Sequence, residues 1–299
     1  MFSALFADDT TSLAKGPVLK DLSSYVNNEL QKMANWFRAN KMSVNASKTK
    51  FIIFKTHNKP VNPLDCNIVY NSTEIGLPDD PNMISPIDRI SHESNEKHFK
   101  LLGVLLDENL SFKAHIDMLC SKISKSLFCI NRVKKFIDES SLRKLYFSMV
   151  HSHLSYAINV YGCATSTALE KLRVMQKKAI RVIKNANYRA HTAPLFRELK
   201  ILPLDDLILY SNTKFMHHYY LNQLPFSFNG TWFTNEERNP ERVLRNAQDL
   251  FIPAHRVELV KRMPYFAFPS IWNNALGNKF NRKHYSYMRE IKSLLLSNL

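Results

Sequence analysis

Met1-Phe2-Ser3-Ala4-Leu5-Phe6-Ala7-Asp8-Asp9-Thr10-Thr11-Ser12-Leu13-Ala14 is the stretch on which the fold turns. The run up to Phe6 is apolar enough for a buried strand, and Thr10 to Ala14 carries β-branched residues suited to a returning one. A tight turn between them sets Asp8 and Asp9 at a hairpin tip, where aspartate tolerates the geometry. Adjacent carboxylates repel unless a cation sits between them, and Mg²⁺ or Mn²⁺ suits oxygen ligands. Paired ions about 4 Å apart can clamp the attacking and leaving oxygens of a phosphoryl transfer. Such a site needs at least one more carboxylate from another strand. An Asp-Asp pair is also an ordinary surface turn, so its meaning depends on the residues downstream of it.

Leu19, Leu22, Val26, Leu30, Met33 and Phe37 recur at helical spacing, so residues 18–39 read as an amphipathic helix packed on the hairpin. Asn40-Lys41 ends it. A turn through Asn45, Lys48 and Thr49 leads into a short buried strand, Phe51 to Phe54. Residues 71–96, with Pro78, Pro81, Pro86 and two acidic clusters, read as an irregular insertion between strands. Leu102-Gly103-Val104 reads locally as a buried strand with a glycine bulge. It continues through Asp107, Leu110 and Phe112 to His115.

Four features in this order resemble the reverse transcriptases of non-LTR retrotransposons. They are Phe6-Ala7-Asp8-Asp9, the helix ending in Trp36-Phe37, Asn45 with Lys48-Thr49, and Leu102-Gly103-Val104 through His115. The resemblance runs on to Phe268-Pro269-Ser270-Ile271-Trp272-Asn273 and covers nearly the whole chain. It implies an α+β fold: the C-terminal part of a polymerase palm over 1–111 (hairpin, helix, short strands), a helical thumb over 112–190, and a helical and irregular tail over 191–299. Asp8 and Asp9 match the metal-binding carboxylates of the palm. Lys48 matches a lysine near the incoming nucleotide's phosphates, and Leu102-Gly103 matches the hairpin that holds the primer end. A bland reading of Lys48 is a solvated turn lysine. The family places fingers, the first catalytic aspartate and the nucleotide-selecting elements upstream of the acidic pair, and five residues before Phe6 cannot hold them. The expectation is a fragment that does not polymerise alone, with the missing palm and fingers among its partners.

Charge supports a nucleic-acid surface independently. The formal net charge is +15, which favours polyanionic partners. It is unevenly spread: residues 60–110 hold nine Asp/Glu and three Lys/Arg, whereas 113–200 hold seventeen Lys/Arg and five Asp/Glu. In that stretch Phe112, Ile116, Leu119, Ile123, Leu127, Ile130 and Val133 form one apolar stripe, with Lys122, Lys125, Arg132, Lys134 and Lys135 mostly off it. Asp138 or Ser140 can cap a second helix with Leu142, Leu145, Met149, Leu154 and Tyr156 as core. Thr165 or Ser166 can cap a third, whose outer face carries Lys171, Arg173, Lys177, Lys178 and Arg181. Contacts of this kind go to the phosphates of an RNA/DNA primer–template. The interspersed Tyr and Phe residues read as core rather than as base-stacking groups.

Further on, Pro194 and Pro203 bracket a short helix, Asp205 caps another, residues 223–250 read as a loop, and a basic segment from Lys279 to Lys292 ends in an apolar turn, Leu294-Leu295-Leu296. The four cysteines never form C-x-x-C, so neither a disulfide framework nor a zinc site is expected; Cys120 and Cys129 read as core or half-buried thiols. No apolar run approaches a membrane span, and the short apolar start runs into two aspartates unlike a signal peptide. An intracellular location follows, and the resemblance implies the nucleus. Two other readings remain open. One is a non-enzymatic nucleic-acid-binding module; the other is a metal-dependent nuclease that adds Asp79, Asp80 or Asp88 to the acidic pair.

Overall fold

The computed structural model describes residues 1–55, 60–71, 84–241, 245–254, 258–275 and 286–299. The chain divides into two compact units, Met1–Ser111 and Phe112–Leu299. Twelve α-helices and four two-stranded sheets among the described residues are compatible with the α+β class.

In the first unit, β1 (Phe2–Phe6) pairs antiparallel with β2 (Asp9–Leu13), Phe6 facing Asp9 and Phe2 facing Leu13, but the expected buried strand is exposed throughout, Phe2, Leu5 and Phe6 included, because this sheet has only two strands among the described residues. This register leaves a two-residue loop, Ala7-Asp8, with Ala7 at φ 52°. Positive φ at the first loop position matches the strand twist of a primed hairpin turn. Helix α1 (Leu19–Ala39) comes next in the chain, its stripe of Leu22, Val26, Leu30, Met33 and Phe37 half-buried. Asn27 on this helix clamps a strand: its Nδ2 donates to Asn67 O at 2.9 Å and its Oδ1 accepts from Val69 N at 3.0 Å.

Strand β3 (Lys50–Ile52) pairs parallel with β6 (Asp88–Ile90), and β4 (Val69–Asn71) pairs antiparallel with β5 (Ile84–Pro86). The described part of the expected insertion thus holds strands. Runs of three residues alternate too little to be read as such, and their partners are distant in sequence. Pro78, Asp79, Asp80 and Pro81 lie outside the described residues. Strands β7 (Phe99–Leu101) and β8 (Val104–Leu106) are joined by Leu102 and Gly103, at φ 44° and 86°. The expected buried strand with a bulge is instead a two-residue turn with both φ positive, and Leu102 is exposed.

The second unit opens with α2 (Lys113–Val133), then α3 (Glu139–Tyr146), a π-helical turn over Phe147–His151, α4 (Ser152–Ser155), α5 (Ile158–Tyr161) and α6 (Ser166–Ile183). Asp138 accepts from Ser141 N and Thr165 from Ala168 N, capping α3 and α6 as the sequence allows. Helices α2 and α6 run side by side in the same direction: Lys171 reaches Asp117 near their starts and Lys134 reaches Asn185 at their ends. Ile116, Leu119, Ile123 and Ile130 are buried with Leu169, Leu172, Ala179 and Ile180. Gln176 is buried too; its Nε2 donates to Tyr146 Oη and Leu202 O, both at 2.9 Å. Tyr156, read as core, is exposed, as is Cys129.

The rest comprises α7 (Ala193–Leu199), α8 (Leu204–Tyr220), α9 (Asn235–Arg238), α10 (Glu258–Arg262), α11 (Pro264–Ala275) and α12 (Tyr287–Ser297). Pro203, not Asp205, sits at the cap position of α8. The expected loop over 223–250 contains α9, held by a capping box between Thr234 and Glu237. Leu294 to Leu296 belong to α12 rather than to a turn, and the basic segment from Lys279 lies outside the described residues as far as residue 285. An aromatic cluster joins these helices, with Trp232 against Phe215, Tyr219 and Phe268.

Candidate nucleic-acid interface and acidic turn

The β1–β2 hairpin presents Asp8 in its loop and Asp9 as the first paired residue of β2, both exposed. Among the described residues, no group of three or more His, Cys, Asp or Glu is placed to hold a metal ion. Two carboxylates are suitable donors to Mg²⁺ but do not complete a two-metal site. Asp88 on β6 is engaged elsewhere, accepting from Lys50 Nζ at 2.8 Å. Asp79 and Asp80 lie outside the described residues.

Lys48 is exposed in a turn organised by Asn45, whose Oδ1 accepts from Lys48 N at 3.2 Å and from Ser47 Oγ at 2.7 Å. The downstream motif builds a knot that sequence reasoning missed. Asp107 is buried and accepts from Asn109 N, Ser111 N and Ser111 Oγ at 3.0, 3.0 and 2.8 Å. An Asp with polar residues two and four positions on is the available signal for such a turn. Next to it Glu108, also buried, lies 3.2 Å from Arg89 and 3.6 Å from Lys55. In the second unit His115 is buried 5.2 Å from the Tyr161 ring, and burial lowers its pKa, aided by Lys122. Leu102 through Ser111 therefore carry a turn, a strand and its termination, with Leu102 as their exposed apolar tip.

The ten basic residues singled out on α2 and α6, with Lys134 and Lys135 just beyond α2, fall into two groups. Four are engaged within the fold, Arg173 and Lys171 by carboxylates and Arg181 and Lys134 by neutral oxygen acceptors. Arg173 grips Asp205 through Nε and Nη2 at 2.9 and 2.8 Å and reaches Glu170 at 3.0 Å. Its side chain is 17% exposed, and the Asp205 carboxylate, then Glu170, raise its pKa. Lys171 pairs with Asp117 at 2.6 Å, and that hydrogen bond raises its pKa. Arg181 Nε donates to Ala190 O at 3.0 Å, and Lys134 Nζ to Asn185 Oδ1 at 3.2 Å.

Lys122, Lys125, Arg132 and Lys135 are exposed, and Lys178 is exposed on α6 with Lys177 half-buried beside it. None of these six is in an ion pair among the described residues. Positions 125, 128, 132 and 135 follow helical spacing along one flank of α2. That flank interleaves charge with aromatic rings. Phe128 is 61% exposed with the Arg132 guanidinium 5.0 Å above it, and Phe136 is 85% exposed. At the end of α6, Tyr188 is 72% exposed with Arg189 over its ring at 5.2 Å. Read from the sequence as core, these rings face solvent.

No family model and no solved structure matches this chain. Curated proteins do. Over 208 residues the chain is 27% identical to the RNA-directed DNA polymerase from mobile element jockey of Drosophila funebris, a match covering 69% of this chain and 20% of that protein. The chain resembles the reverse transcriptases of non-LTR retrotransposons. Its match to the jockey polymerase of Drosophila melanogaster is 25% identical over 219 residues, covering 71% and 21% of the two chains. A third relative, described as "Probable RNA-directed DNA polymerase from transposon X-element" of Drosophila melanogaster, is 23% identical over 209 residues, 69% of this chain and 20% of the relative. The chain spans about a fifth of the length of the curated relatives it matches. No helix among the described residues is long and apolar enough to cross a membrane.

Proposed function

We propose that these 299 residues are the nucleic-acid-gripping part of an RNA-directed DNA polymerase and do not polymerise by themselves. The observation that carries the binding half is the flank of α2. There Lys122, Lys125, Arg132 and Lys135 stay exposed and unneutralised while exposed rings alternate with them. Phosphate contacts of this kind give affinity without sequence preference, and exposed rings add stacking on unpaired bases. In this reading α2, α3 and α6 serve as a thumb on a primer–template. The hairpin and short sheets of the first unit are the C-terminal part of a palm.

The acidic pair carries the other half. In this reading Asp8 and Asp9, at the turn of a hairpin, are the metal-binding carboxylates, and Mg²⁺ bound there would stabilise charge in phosphoryl transfer. Lys48 is the candidate contact for nucleotide phosphates. Positioning and charge stabilisation dominate this chemistry, so an incomplete ligand set costs orders of magnitude in rate.

Primer extension on poly(rA)/oligo(dT) with Mg²⁺ or Mn²⁺ tests the claim, comparing the chain with Asp8→Asn/Asp9→Asn. Neither protein should extend the primer. Extension that the double substitution abolishes would mean that these residues assemble a competent site, and would overturn the inactive half of the proposal.

A further inference from the structure

A second basic surface lies outside α2 and α6. Arg197, Lys200, Arg289 and Lys292 line one cleft of about 450 Å³ between α7 and α12, with Ser293, Leu296 and Ser297. On α12 the five contributors fall at i, i+3, i+4, i+7 and i+8, one face of the helix. The face turned away from them carries Tyr287, Ile291 and Leu295, all buried, and Tyr287 stacks on His217 of α8 at 4.8 Å. Core packing therefore fixes the orientation of the α12 wall. The other wall is anchored by buried Phe196 and Leu199, with Arg143 Nε bonded to Leu199 O at 2.6 Å. Lys200 sits at φ 54°, in the left-handed conformation that ends α7.

Among the described residues, none of these four cations lies in an ion pair, whereas Lys184 of the same unit is matched, 2.9 Å from both Glu139 and Glu198. Four unneutralised like charges facing one cleft repel, and a polyanion relieves that repulsion. Two guanidiniums and two ammoniums offer more N–H donors than the oxygens of one phosphate group can engage. A run of phosphates uses them.

We infer that the α7–α12 cleft binds the sugar-phosphate backbone of a single-stranded nucleic acid, as a second contact beyond the flank of α2. The inference rests on the nucleic-acid role proposed for that flank. It extends the interface to four residues that the basic helical stretch alone does not nominate as a group.

The test is fluorescence anisotropy of the full chain with a labelled single-stranded RNA across a KCl series. Three variants are compared with the wild type: Arg289→Gln/Lys292→Gln in the cleft, Lys125→Gln/Arg132→Gln/Lys135→Gln on α2, and Lys214→Gln/Lys261→Gln as a charge-matched control. Each lost phosphate contact lowers the slope of log K against log salt by about 0.7 on a single strand. The cleft pair should therefore lower it by about 1.4, the control should leave it unchanged, and all thermal midpoints should match the wild type. An equal slope change in the control would reduce the effect to bulk charge and overturn the inference. An unchanged slope in the cleft pair beside a reduced one in the α2 triple would reject the cleft and keep the α2 interface. No salt-dependent binding by the wild type would reject both. Titration with tripolyphosphate separates one more outcome: binding lost in the cleft pair without any change in RNA binding would mark a small-anion site and overturn the backbone assignment.

Discussion

Replacing Arg173 with alanine separates a structural cation from a phosphate contact. Its guanidinium holds Asp205 in a two-pronged grip at 2.9 and 2.8 Å and takes Glu170 and Ser166 O at 3.0 Å, so α6 is tied to the first turn of α8. Asp205 and Glu170 are 61% and 53% exposed, so solvent screening discounts the pairing strongly. The grip and the buried stem together contribute about 1 kcal/mol, at the upper end for an exposed pair because the geometry is bidentate. In a unit of this size that corresponds to a fall of about 3 °C in unfolding midpoint. Trp232 and Trp272, both buried in the second unit, supply the fluorescence probe. Arg173→Lys should recover only part of the loss, since an ammonium cannot span both carboxylate oxygens. RNA affinity and its salt slope should stay at the wild-type values. A slope reduced by about 0.7 with an unchanged midpoint would place Arg173 on the nucleic acid and refute its structural role.

Gln176→Leu should cost about 2 to 3 kcal/mol, because Tyr146 Oη and Leu202 O lose a donor they share in the core; urea unfolding of the single variant and of its Tyr146→Phe partner variant should show strongly non-additive losses. Gly103→Ala, at φ 86°, should destabilise the β7–β8 turn by about 1 kcal/mol, and hydrogen exchange at Val104 should quicken accordingly. Burial holds the pKa values of His115, His151 and His153 below their ordinary 6.5, so the unfolded chain takes up these protons first. Stability of the second unit should be fully present above pH 6.5 and fall as pH drops below it, and His115→Gln should make the decline shallower; a midpoint that rises between pH 7 and 5.5 would contradict this. Phe128→Ala and Phe136→Ala should weaken binding to single-stranded RNA by about 1 to 3 kcal/mol each while leaving duplex binding and the salt slope nearly unchanged, as anisotropy would report.

Sequence periodicity locates the long helices because each buries one continuous stripe. The α1 and α2 stripes, the Asp138 and Thr165 caps and the hairpin around Asp8 are all consequences of local chemistry. Strands β5 and β6 were not legible: each is three residues long, and each is set by a partner far away in the chain. Helix α9 was hidden by its flanking turns, although Thr234 and Glu237 three residues apart spell its capping box. At the site, the basic stretch itself could be read, but its division could not. Asp117, Asp205 and Ala190 decide which cations are engaged, and their proximity to Lys171, Arg173 and Arg181 arises from helix packing. Phe128 lies one position beyond Leu127 on the helix, and that rotation of about 100° carries it from the stripe towards solvent. The buried roles of Asp107 and Glu108 depend on Ser111, Arg89 and Lys55 and emerge only in three dimensions.

The most direct measurement is the salt dependence of binding to an RNA/DNA primer–template, for the wild type and for Lys125→Gln/Arg132→Gln/Lys135→Gln. A basic α2 flank that grips phosphates predicts tight binding at low salt and a log–log slope lowered by up to about 2.7 in the triple variant, with the unfolding midpoint unchanged. Equal slopes in the two proteins, or no salt-dependent binding by the wild type, would contradict it.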